Sequence, residues 1–391
     1  MKTVVIYVAD SFDLILTKSN AWYIRHYEVY FDKVYMVYLR GNRREPIVQG
    51  RTSLVCLGTG RSKLDFLLAP IHLYKFARQT RPNTYVTSDQ IWSWWISWMI
   101  QLFLGAKIYL MPQFMPEQIY KSSKRSVSMI FPIWLERILI WLSFRFADHL
   151  LTGSCFGNAV ISWLHSQPVS RGKTIVAGTL PEALPPPAFL ERMESLSSTR
   201  ASTRGLETSF KLIYVGRLQH QKLVDDLVRM MPLFGAQKDM TKTVELVLIG
   251  DGPERSALEK LTDELGVRPF ITFTGQVQNE DLPDYLLRSH VYVSPLTGMS
   301  LREAAVCGMP VVAYDMDWIH GLLKHEETAL LVAPGDHQEM GRQVLRLMED
   351  DALCRRLSRN IKELAERMWS SAGLHESLRQ VFEADQQTQR A

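Results

Sequence analysis

The stretch from Tyr292 to Asp315, YVSPLTGMSLREAAVCGMPVVAYD, constrains the fold of this chain more than any other. It reads as a buried strand, Val291 to Ser294, broken by Pro295 and Gly298. A short helix follows, carrying Leu301, Glu303, Ala304 and Ala305, with Ser300 placed to cap it. Gly308-Met309-Pro310 stops the helix, and Val311 to Tyr314 forms a second apolar strand. A helix that opens at a glycine turn behind a strand presents unpaired backbone N–H groups, which suit a diphosphate. Thr297, Gly298, Met299, Ser300 and Leu301 are therefore the expected anion-binding turn. Glu303, in the first helical turn, is placed to reach past the phosphates to a pair of sugar hydroxyls. The plain alternative is an ordinary strand-helix-strand unit with no ligand.

Other segments repeat the pattern. Lys211-Leu-Ile-Tyr-Val-Gly216-Arg217-Leu-Gln-His-Gln-Lys222 is a buried strand ending in glycine, followed by two cations. Arg217 and Lys222 thus emerge at the carboxyl end of a strand, where open α/β sheets bind ligands. Val244 to Gly250, then Asp251-Gly252-Pro253, is a further strand with a Gly-x-Gly turn, and Ile271 to Gly275, Gln276 and Val277 is another with a terminal glycine.

In this order and spacing the segments resemble the C-terminal domain of retaining glycosyltransferases of the GT-B fold (glycosyl transferases group 1, family 4-like). The motifs are GRLQHQK, GDGP, FTGQV, TGMSLREA and VCGMPVVAYD, spread over residues 210 to 336. The resemblance implies an α/β protein with two Rossmann-like, doubly wound domains facing a central cleft. It implies transfer of a sugar from a nucleoside diphosphate, UDP or GDP, to a glycan or lipid-linked acceptor in polysaccharide biosynthesis, with retention of configuration. Arg217, Lys222 and Glu303 are the expected catalytic set, Glu303 as the ribose ligand rather than a base. Gly216, Gly275, Val277 and the turn from Thr297 to Leu301 are the expected donor contacts, the base resting near Gly275 to Val277. The family pattern has two glutamates flanking its glycine loop; Glu303 matches the second, and Thr297-Gly298 stands in a shorter loop where the first is missing.

No Asp-x-Asp sits at a suitable strand end, so the expected leaving-group stabilisation comes from the two cations and backbone amides, without metal or cofactor. A carboxylate pair of the glycosidase kind is absent as well. The rival readings are a sugar-nucleotide epimerase on the same fold, a non-catalytic nucleotide- or carbohydrate-binding protein, and a membrane-surface scaffold.

At 391 residues the chain suits two domains, and its net charge of +4 without a basic run argues against nucleic acid as a partner. Alternating strand and helix candidates fill residues 1–180, the expected acceptor domain. A proline-rich and then Ser/Thr/Arg-rich stretch, 181–209, reads as a linker, 210–370 as the donor domain, and 371–391 as a helix crossing back to the first domain. Acceptor-side candidates follow strands of the first domain: Asn20, Asp89 (equally a helix cap) and Gln113. Of the histidines, only His220 lies in a loop near the expected donor, and for a lone histidine the structural or surface reading is the better one.

The segment 91–105, IWSWWISWMIQLFLG, is too short and interrupted for a membrane span, which needs about 20 apolar residues. With the amphipathic stretch 129–146 it reads either as core or as a pair of helices lying at a bilayer surface. The scattered cysteines and the short apolar amino terminus, read as a first strand, fit a cytoplasmic protein, peripheral on the inner face of the membrane.

Overall fold

The computed structural model describes residues 2–12, 26–42, 44–87, 93–111, 133–153, 174–178, 185–203, 209–235, 242–296, 298, 300–316, 319 and 322–388. The chain divides into two compact units: Met1–Glu182 with Leu374–Ala391, and Ala183–Gly373.

The first unit holds a sheet of eight strands: β1 (Thr3–Ser11), β2 (Lys33–Arg40), β3 (Ile47–Gln49), β4 (Thr52–Cys56), β5 (Thr84–Thr87), β6 (Lys107–Leu110), β7 (His149–Gly153) and β8 (Thr174–Gly178). Their order is β3-β4-β2-β1-β5-β6-β7-β8. All neighbours run parallel except β3, which pairs antiparallel with β4 at the edge. Buried residues line both faces of β1 and β2, as expected of parallel strands covered on both sides. One face is covered by α1 (Ser62–Thr80), α2 (Ser93–Leu104) and α3 (Ile133–Phe146), whose Leu73, Ile96, Ile100, Ile140 and Phe144 enter the core.

The second unit has six parallel strands: β9 (Ser209–Val215), β10 (Thr243–Ile249), β11 (Ile271–Gly275), β12 (Val291–Ser294), β13 (Val311–Tyr314) and β14 (Leu330–Val332), in the order β11-β10-β9-β12-β13-β14. The chain winds outward from β9 through β10 to β11, then returns to the other side of β9 as β12. β9 and β12 thus flank a topological switch point, where consecutive loops diverge and leave a crevice.

The stretch expected as a linker contains a helix, α4 (Pro187–Thr203), and belongs to the second unit. Proline is well suited to the first helical position, since its missing N–H is unpaired there anyway. The helix buries Phe189 and packs on α7 (Leu282–Leu287), where Arg192 meets Asp284 through Nε at 2.8 Å and Nη2 at 3.1 Å. Both units are closed by the last segments of the chain. α10 (Asp351–Met368) packs on the second unit. α11 (Ser371–Thr388) returns to the first, where Phe382 packs edge-on to Phe31 (5.0 Å) and Tyr109 (5.3 Å).

Candidate active site

The switch point gathers the sequence motifs of the second unit. The loop after β9 runs from Gly216 through Arg217 to a single 3-10 turn, His220–Lys222, and then α5 (Val224–Met230). The loop after β12 runs through Pro295 and Gly298 to α8 (Ser300–Val306). Lys222 crosses between them: its Nζ lies 3.7 Å from where a Cβ on Gly298 would stand, and Ser300 Oγ lies 3.9 Å from the same point. A lysine ammonium and a glycine backbone left open to approach are the elements of an anion site. Arg217 is exposed on the same loop.

Lys222 is held by an unusual backbone. Leu223, the next residue, has φ +51, in the left-handed region that costs a non-glycine residue roughly 1–2 kcal/mol. Its N–H donates to His220 O at 3.1 Å, and the first turn of α5 is fixed from the far side, where Tyr314 Oη donates to Asp226 Oδ2 at 2.8 Å. Burial first, and the Asp226 bond second, push the Tyr314 hydroxyl well above the usual tyrosine range.

Tyrosines on three adjacent strands do the same kind of work. Tyr214 on β9 donates to Arg217 O at 3.4 Å. Tyr292 on β12 meets Ser300 Oγ at 2.9 Å, and Ser300 Oγ donates to Val215 O at 2.6 Å. Since the serine proton goes to Val215, Tyr292 is the donor in that pair; burial pushes its hydroxyl up to about 12, with the nearby Glu303 adding to the shift. None of these tyrosines stood out as a site residue in the sequence, because their partners lie in loops set by tertiary structure.

Two expectations are corrected here, for Ser300 and Leu301. Ser300 does not cap its helix: its hydroxyl is engaged with β9 and Tyr292 instead. The Leu301 side chain is buried in the core and its N–H donates to Gly298 O at 3.2 Å, so neither faces a ligand. His220 is exposed, in keeping with the surface reading of a lone histidine, and lines a shallow hollow with Val224, Asp225, Arg229, Glu254 and Lys260. Gly308, by contrast, ends α8 as expected: φ is +63, and its N–H and that of Met309 return to Ala305 O and Ala304 O. Thr297, Met299, Asn20, Asp89 and Gln113 lie outside the described residues.

The glycines of GDGP are explained by packing. A Cβ on Gly250 would stand 2.0 Å from Gly216 O, and one on Gly252 2.2 Å from Leu218 O. The two loops lie backbone against backbone, tied by Gly216 N to Ile249 O (2.9 Å) and Leu218 N to Asp251 O (3.0 Å). Gly275, at φ +74, accepts from Gly250 N at 2.8 Å and extends the stack to the loop that carries the half-exposed Val277.

Glu303 sits one turn into α8. Its Oε2 is buried and has no hydrogen-bond partner among the described residues. Burial holds this carboxyl above the ordinary glutamate range, with the neighbouring Arg302 opposing. A buried carboxylate oxygen left unpaired is costly to the protein alone, and so marks a place where a ligand donor fits.

Residues 198–364 match the family glycosyl transferases group 1. The second unit carries a group 1 glycosyl transferase domain. Among curated relatives, the chain is 28% identical over 185 residues to alpha-D-kanosaminyltransferase of Streptomyces kanamyceticus, covering 46% of each chain. It is 31% identical over 189 residues to the lipopolysaccharide core biosynthesis glycosyltransferase LpsD of Rhizobium meliloti, covering 47% of this chain and 52% of that protein. The match thus spans about half the length of these relatives. The whole fold is also shared. Sucrose-phosphate synthase from Thermosynechococcus elongatus superposes with a TM-score of 0.74 over 98% of this chain and 99% of its own, at 18% identity. Anabaena Alr3699/HepE in complex with UDP gives 0.65 over 98% and 100%, at 15% identity. The group 1 domain and the first unit together have the α/β architecture of the GT-B fold, two Rossmann-like domains in one chain.

Proposed function

We propose that the protein transfers a sugar from a nucleoside diphosphate to a glycan or lipid-linked acceptor, with retention of configuration. The observation that carries this reading is Lys222 Nζ over Gly298 at the switch point, on the loop that opens the helix of Glu303, whose buried Oε2 has no hydrogen-bond partner among the described residues. The diphosphate lies against Lys222 and Arg217, and the ribose hydroxyls donate to Glu303 Oε2. The base rests beside Gly275 and Val277. The UDP bound in the Anabaena structure of the same fold supports a nucleotide in such a site.

In the reaction, the bond between the anomeric carbon and the diphosphate oxygen breaks as the acceptor oxygen approaches the same face. The leaving phosphate takes the acceptor's proton. Charge develops on the diphosphate, and fixed cations are worth most where charge develops. Arg217 and Lys222 supply that charge from the protein itself, so the reading requires no metal. Nucleotide-sugar donors fit a reaction on the cytoplasmic side of the membrane.

The test is a thermal-shift series with UDP, GDP, ADP and their sugar conjugates, since a ligand of the folded state raises its melting temperature by mass action. One nucleotide is expected to stabilise the protein and its conjugates to act with it. No shift from any of them would overturn the reading.

Glu303→Gln tests the ribose contact through pH. A carboxyl whose pKa is raised on folding costs stability when it ionises. The cost is absent below the unfolded pKa of about 4.3, grows as pH rises toward the folded pKa, and is constant above it. The variant's ligand-free protein is therefore expected to melt higher than wild type at neutral pH, with the gain fading below about pH 4. Its nucleotide affinity should fall by about 10- to 150-fold, the worth of a charge-assisted hydrogen bond of about 1.5–3 kcal/mol. A pH-independent difference in melting, or unchanged affinity, would remove Glu303 from this role.

A further inference from the structure

Among the described residues, the helix layer α1, α2 and α3 is buried on its inner side and exposed on its outer one. Its outer side carries three apolar stripes at helical spacing. On α1 these are Leu64, Leu67 and Ile71; on α2, Trp98, Leu102 and Phe103; on α3, Trp134, Ile138 and Trp141. All are exposed, Trp134 by 64% and Leu102 by 59%. Full burial of an aromatic side chain removes about 150–250 Å², so the four aromatics alone show roughly 400 Å² to solvent. That already equals the largest apolar patch of a typical monomer, roughly 300–600 Å², before the five aliphatic residues are added. The three helices are neighbours, α1 against α2 and α2 against α3, so the stripes share one face.

Two of the three stripes, those of α1 and α3, end in cations. On α1 the same spacing continues from Ile71 to Lys75 and Arg78, both exposed, and Arg81 caps the helix. On α3 it continues from Trp141 to the exposed Arg145. The helices each follow a strand of one parallel sheet and so run the same way, which puts these cations at one end of the face. Arg78 and Arg81 line a hollow there with Tyr74, Phe103 and Leu104. The one acidic residue of α1, Asp65, is turned inward and accepts from Thr59 N and Oγ1 at 2.8 and 2.7 Å; α2 has none. Among the described residues no helix is long and apolar enough to cross a membrane.

We propose that this outer face is a docking surface for a bilayer carrying anionic lipid headgroups. Tryptophan and aliphatic side chains enter the boundary between headgroups and acyl chains, and the basic end meets headgroup phosphate. A second copy of the chain is a poorer occupant. A two-fold contact of this face with itself either sets the cations against each other or lays them over the apolar ends. The proposal concerns the first unit and stands apart from nucleotide binding in the second. It adds α1, which carries no sequence signal for a membrane, to the two aromatic stretches.

The test is cosedimentation of the full chain with vesicles of phosphatidylcholine alone or mixed with phosphatidylglycerol. Wild type is expected to pellet with the mixed vesicles and to be released by salt. Leu102→Glu with Trp141→Glu should lower partitioning at least about tenfold on both compositions. Lys75→Glu with Arg78→Glu should lower it about tenfold or more on anionic vesicles alone, each cation near such a surface being worth about 1 kcal/mol. Both variants alter exposed positions, and an unchanged melting temperature without ligand checks that each is folded. Wild type remaining in the supernatant with both vesicles, or either variant pelleting like wild type, would overturn the proposal. So would a concentration-dependent dimer in light scattering that the apolar variant abolishes.

Discussion

Gly250→Ala is expected to lower the melting temperature of the second unit by roughly 10 °C. Gly250 has φ +131, and its Cβ would stand 2.0 Å from Gly216 O and 2.9 Å from Gly216 C. Neither chain can retreat cheaply. Gly216 N is bonded to Ile249 O, Leu218 N to Asp251 O, Glu254 N to Leu218 O, and Gly250 N itself to Gly275 O. Overpacking of this kind costs about 1–3 kcal/mol and a disallowed backbone about as much again. The sum, about 2–6 kcal/mol, is a large part of a typical domain's stability and corresponds to roughly 2–4 °C per kcal/mol at this size. Gly266→Ala is the control: φ is +68 there, but nothing lies within 4 Å of its Cβ, so only the local backbone cost remains. Equal melting of the two variants would mean that the loops are not packed as described. Because Gly216 begins the loop that carries Arg217 and Lys222, the same substitution should also weaken nucleotide binding in whatever protein remains folded.

That glycine shows where the sequence stops being informative. The apolar runs locate most of the parallel strands, some to the residue: Val291–Ser294 and Val311–Tyr314. Continuous burial on both faces leaves a signal that needs no partner to be read. β3 and β14, of three residues each, are too short to show a period, and β3 is half-exposed at a sheet edge. Helix α4 is hidden by its Ser, Thr and Arg content and reads as linker, because the contacts that hold it, Phe189 in the core and Arg192 on Asp284, are set by tertiary structure. The site divides the same way. Arg217, Lys222 and Glu303 follow strands at motif spacing and were visible as chemistry. Ser300 looked like a cap because capping is local, yet its hydroxyl goes to Val215, 85 residues earlier. The tyrosine ties under the loops, and the outward stripe of α1, depend on which elements become neighbours.

Lys222→Ala is expected to reduce sugar transfer by about 10²–10³-fold, the usual cost of removing one fixed donor from the place where charge develops. The expectation rests on where the lysine is held. Its backbone precedes a left-handed leucine, and α5 beyond it is tied to β13 by Asp226 and Tyr314. Strain kept next to a cation in a crevice is the pattern of a residue positioned for a ligand, since a merely solvated lysine gains nothing from it. The diphosphate is charged before and after the bond breaks, so the loss should divide between a weaker donor affinity and a lower kcat; a fall in kcat with unchanged KM would confine the contact to the transition state. Lys222→Arg keeps a cation but replaces a compact ammonium with a planar fork, and should recover part of the affinity and less of the rate. Arg217→Ala, at an exposed position of the same loop, should cost less than Lys222→Ala. If Lys222→Ala, folded and binding vesicles like wild type, transfers sugar within about threefold of the wild-type rate, the ammonium is not the group that meets the leaving diphosphate. The charge would then have to come from Arg217 or from the backbone amides of the same loops.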